Sequence, residues 1–148
     1  MQEVELSAIE RLWAEYQLPD LDGLHFPDGR SCEVFLDADA ASGMRFGGAF
    51  DLEEVLAEDP DWVTDIGRNR SVPLADGGFL WVGEGVSHGS YGFCGRLHAD
   101  HTLVWALFFE DSNPFTDIRV AGNTAVFRST SGVSITVDID DPLRSGAV

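Results

Sequence analysis

The sequence predicts an α+β fold, an antiparallel β-meander of about six strands with two helices from the N-terminal half packed on one face, in a single domain over residues 1–148. Three observations carry this expectation. A chain of 148 residues has the size of one domain with one core. Apolar residues make up 44% of it, ten Phe and four Trp among them, which supplies such a core in spite of a net charge of −17. The apolar pattern also changes along the chain, from helical spacing at the front to closely spaced runs of strand length at the back.

From Val4 to Tyr16 the residues Leu6, Ile9, Trp13 and Tyr16 recur at helical spacing, with Glu5, Glu10 and Glu15 on the other side, so an amphipathic helix is expected, bounded by Pro19. "LPDLDGLHFPDGRS" reads as loop, "CEVFLDA" as strand, and "DADAASGMRFGG" as loop again. Asp51 is placed to cap a short helix "LEEVLAE", because its carboxylate can accept from the free amides of the first turn, and Asp59 and Pro60 end that helix. The back half holds six strand-length runs: "GFLWVGE", "SYGFCGRL", "TLVWALFFE", "TDIRVAG", "TAVFRST" and "VSITVDI". Their short connections favour pairing in sequence order, hence a meander.

Histidine and cysteine concentrate in "GVSHGSYGFCGRLHADHTLVW". Gly85, Ser87 and Gly89 fit the G-x-S-x-G elbow of serine hydrolases, but that elbow needs a helix after the serine, and "HGSYGFCGRL" is glycine-rich and suited to strand. A metal site would use Cys94, His98 and His101 with His88. On a strand Cys94 and His98 stand roughly 13 Å apart, too far for one ligand shell, and His101 fits a turn residue with positive φ, so no metal and no cofactor are expected. Acid/base chemistry on Glu84, His88, Glu110 or Asp111 would need a buried pocket, and acids at strand ends are usually solvated. No catalytic residue is assigned.

The charge is the most informative feature. Twenty-six acids face nine bases, all Arg, and the first 66 residues carry seventeen of the acids against three arginines. Nucleic acid and anionic membrane surfaces are disfavoured as ligands, since both are held by Lys and Arg. An acidic, amphipathic N-terminus, two distant cysteines and the lack of a long apolar run lead us to expect a cytoplasmic protein. Between Asp51 and Asp65 lie seven acids and no base. A charge run is usually a solvated helix face, and general acidity can reflect a high-salt cytoplasm. Its concentration in one half instead suggests a dedicated surface for a basic protein partner, made of Asp51, Glu53, Glu54, Glu58, Asp59, Asp61 and Asp65 with Trp62 as aromatic anchor.

The segments "GVSHGSYGFCGRLHADHTLVWALFFEDSNPF" and "RSTSGVSITVDIDDP", in a small acidic chain without catalytic motifs, resemble the immunity proteins encoded beside bacterial polymorphic toxins. The resemblance covers about the C-terminal half. It implies a non-enzymatic inhibitor that occludes a basic toxin, often a nuclease, and it assigns no individual residue. The alternatives are a small-ligand module on the sheet face and an enzyme built on Glu84, His88 or Glu110.

Overall fold

The computed structural model describes residues 5–146, and among these the expected six-stranded meander gives way to eleven strands in two antiparallel sheets, with two short helices. The elements are α1 (Ala8–Ala14), β1 (Gln17–Pro19), β2 (Gly23–His25), β3 (Ser31–Leu36), β4 (Met44–Phe50), α2 (Leu52–Glu58), β5 (Val63–Pro73), β6 (Phe79–Gly85), β7 (Gly92–Leu97), β8 (Leu103–Phe109), β9 (Phe115–Ala121), β10 (Thr124–Ser129) and β11 (Ser134–Asp138), followed by a 3-10 turn over Pro142–Gly146. Eight strands form one sheet in the order β1-β5-β6-β7-β8-β2-β3-β4, and β11-β10-β9 form the second. The α+β meander is therefore corrected in two ways. The front half is itself strand-rich, and β9–β11 leave the meander to make a separate layer.

Sequence alternation explains the layering. In β8, Trp105, Leu107 and Phe109 join Leu80, Val82 and Cys94 against Phe115, Phe127 and Ile135 of the small sheet. Ala106 and Phe108 point the other way and join Trp81, Phe93 and the helix residues Ile9 and Trp13. "TLVWALFF" lacks a polar alternate because both of its faces are buried. The large sheet thus lies between the helices and the small sheet.

Helix α1 starts where a capping box allows it: Glu10 N–H donates to Ser7 Oγ at 3.3 Å and Ser7 N–H to Glu10 Oε1 at 3.0 Å. It is shorter than the expected helix, whose first residue, Val4, lies outside the described residues. Helix α2 buries only Leu52, with Leu56 half-buried, and leads from β4, at one end of the sheet order, to β5, next to the other end. Six strand spacings would be about 29 Å in a flat sheet, while a seven-residue helix spans about 10 Å and the Asp59–Trp62 turn adds little. The sheet must therefore curl, and α1 and α2 close its concave side.

Candidate functional site

The acidic segment is held at its start by α2 and at its end by the first residues of β5. Asp51 caps α2, accepting from Glu53 N–H at 2.9 Å and Glu54 N–H at 3.4 Å. Asp59 ends it, with its N–H on Val55 O, and its carbonyl accepts from Trp62 N–H, which folds residues 59–62 into a turn. Asp65 sits opposite Gln17 in the β1–β5 pair and accepts from Gln17 Nε2 at 3.0 Å. All seven carboxylates, Asp51, Glu53, Glu54, Glu58, Asp59, Asp61 and Asp65, are exposed, and Trp62 between them is 50% exposed. The Trp62 carbonyl accepts from Asp20 N–H at 2.9 Å, which brings a further acid beside it.

Pairing among the charges leaves this face largely uncompensated. Glu53 bonds Arg11 at 2.9 Å, so the guanidinium holds its carboxyl below the usual range. Among the described residues it is the one acid of the seven in an ion pair. Of the six arginines of the back half, four are paired with back-half acids, Arg70 and Arg119 with Asp117, Arg96 with Asp76 and Asp140, Arg144 with Asp138 and Asp141, while Arg68 and Arg128 form no ion pair among the described residues.

A second group of acids, which sequence reading weighed only in part, gathers around Tyr91. Burial raises the Tyr91 hydroxyl well above its ordinary value, and the charges of Asp20, Glu110 and Asp111 add to this. Glu110 is raised by burial and then by Asp22, Asp20 and Asp111, with His88 opposing. Asp22 is raised by burial and by Asp111, although it accepts Glu110 N–H at 2.7 Å. Asp20 and Asp22 lie ~90 residues from Glu110 in sequence, so only the β2–β8 pairing brings them together. Glu84 is elsewhere, on β6 opposite Gly67, and alternation puts it on the face of Val82 toward the small sheet.

The histidine-rich stretch resolves into structural roles. Ser87 lies in the turn between β6 and β7, its Oγ 2.9 Å from Thr64 Oγ1, and a strand rather than a helix follows it. His101 adopts φ +71°, its ring edge-on to Phe79 and Trp81 and its carbonyl accepting from Trp13 Nε1 at 3.0 Å. Cys94 is fully buried. Among the described residues no group of three or more His, Cys, Asp or Glu is arranged to hold a metal ion, and no helix is long and apolar enough to cross a membrane. Sequence reading missed His25, buried on β2 with Nδ1 2.8 Å from Ser31 Oγ and Nε2 without a partner.

A concavity of about 750 Å³ opens beside the ends of β3 and β4, lined by Phe26, Phe46, Phe50 and Leu143, with Asp51 on its wall. Its one cation, Arg30, is already bonded to Asp28 at 2.8 Å. Against known proteins the chain matches no family model, no curated protein and no solved structure.

Proposed function

We propose that this chain is a non-enzymatic binding protein of the immunity type, which docks a basic protein partner, such as a nuclease toxin, through the acidic face of α2 and the turn that follows it. The observation that carries the reading is the exposure of seven carboxylates between Asp51 and Asp65, six of them outside any ion pair among the described residues, around the half-exposed Trp62. An aromatic side chain ringed by charge provides an apolar anchor, while the carboxylates steer a cationic surface into place and fix its orientation. Carboxylates in a row can also occupy the cationic groove that a nuclease uses for phosphates.

The test is a charge-reversal variant, Glu54→Lys, Glu58→Lys, Asp59→Lys and Asp61→Lys, which leaves the Arg11–Glu53 bond and the Asp51 cap intact. Its affinity for a basic partner protein recovered from the lysate of its own cells is compared with that of the original chain. Binding that survives reversal unchanged removes α2 from the interface.

A further inference from the structure

We infer that the pocket under Arg68, walled by Tyr16, Ile66, Trp81 and Phe93, is a binding site for a planar aromatic carboxylate. The pocket is about 360 Å³. Its base is buried Trp81 and Phe93, and Tyr16, 55% exposed, lies nearly parallel to Trp81 with ring centroids 6.4 Å apart. The Arg68 guanidinium carbon sits 4.9 Å from the Trp81 ring centroid.

Two features that cost stability converge on this pocket. The first is a bulge in β5. Register steps from Arg68↔Gly83 to Arg70↔Val82, leaving Asn69 as the extra residue, anchored by its Nδ2 on Phe115 O at 3.2 Å. In a regular strand Arg68 and Arg70 would share a face. The bulge parts them: Arg70 turns toward the small sheet and bonds Asp117 at 3.2 Å, while Arg68 turns to the helix side and lies over Trp81. Seven of the nine arginines form ion pairs among the described residues, and Arg68, in a chain with 26 acids, forms none. The second is Tyr16 at φ +54°, in the left-handed position that ends α1, where its N–H bonds Trp13 O at 2.9 Å. Glycine usually fills that place, and a tyrosine there is strained. The strain holds a half-exposed aromatic ring at the pocket mouth.

The chemistry of the occupant follows from the walls. Flat aromatic surfaces accept a flat ring, and a guanidinium in no ion pair among the described residues offers a fork of donors to a carboxylate. A cationic ligand would meet Arg68 instead. The larger cleft beside β4 offers no such donor, since Arg30 is held by Asp28.

The test is titration of the full chain with naphthoate, followed by calorimetry and by quenching of tryptophan fluorescence. We expect saturable binding that Arg68→Gln weakens about tenfold or more, and that the amine naphthylmethylamine does not compete away. Tyr16→Gly separates binding from folding, because glycine relieves the backbone strain: this variant should melt no lower than the original chain and yet bind naphthoate more weakly. Equal affinity in Arg68→Gln, unchanged binding in Tyr16→Gly, competition by the amine, or no saturable binding in the original chain at millimolar naphthoate would each overturn the proposal.

Discussion

At the scale of single residues, the groups with shifted protonation make the clearest predictions. Burial lowers His25 to a pKa of about 3 from an ordinary 6.5. The unfolded chain takes up a proton as pH falls through 6.5, and the folded chain does not until about 3, so this residue lowers stability progressively across that window. Between pH 7 and 5 its share is about 2 kcal/mol. Replacing both partners, His25→Phe with Ser31→Ala, removes the titration without leaving a buried hydroxyl unpaired. Denaturant midpoints at the two pH values should then differ less than in the original chain, and an equal difference would refute the assignment. Glu110 runs the other way. Its raised carboxyl means that ionisation works against folding as pH rises through its value, so Glu110→Gln should raise the melting temperature at pH 7 and have little effect at acid pH. None of this was legible in sequence, because His25 and Ser31, or Asp22 and Glu110, meet only once strands have paired.

Elements were legible to the extent that burial left a pattern. The six back-half runs and α1 stand out because each buries an apolar stripe, and α2, which buries only Leu52, stands out by its Asp51 cap and the Asp59–Pro60 stop. β5 does not: in "VTDIGRNRSVP" only Thr64 is buried, its outer edge has no strand neighbour beyond Asp65 among the described residues, and both of its arginines are exposed, so eleven residues of strand resemble loop. β1 and β2 are three residues each, too short for alternation to register. Close packing between elements can be tested at glycine. A Cβ at Gly92 would lie 2.3 Å from Ser112 Oγ and 2.4 Å from the Asn113 carbonyl, so Gly92→Ala should cost roughly 1 to 3 kcal/mol through overpacking. Gly122, at φ +62° with open space around it, should cost only about 1 kcal/mol as Ala, from backbone strain alone. Equal losses in chemical denaturation would contradict this division.

At the scale of the whole molecule, the sequence located the acidity but not its setting. The run from Asp51 to Asp65 could be read directly, whereas its junction with Asp20, and through Tyr91 with Glu110, depends on the curl of the large sheet. The four back-half arginines that form ion pairs bond back-half acids, so among the described residues none of them reaches over to neutralise the run from Asp51 to Asp65. A molecule acidified only to tolerate salt should instead lose stability as salt is removed, since its carboxylates would repel one another unscreened. The proposal that this face meets a cationic protein is read out by the rate of association with a basic partner protein recovered from the lysate of its own cells, measured as ionic strength is varied. We expect a rate that falls steeply with added salt for the original chain, and a slower, nearly salt-independent rate for the variant reversed at Glu54, Glu58, Asp59 and Asp61. The same salt dependence in both proteins would contradict it.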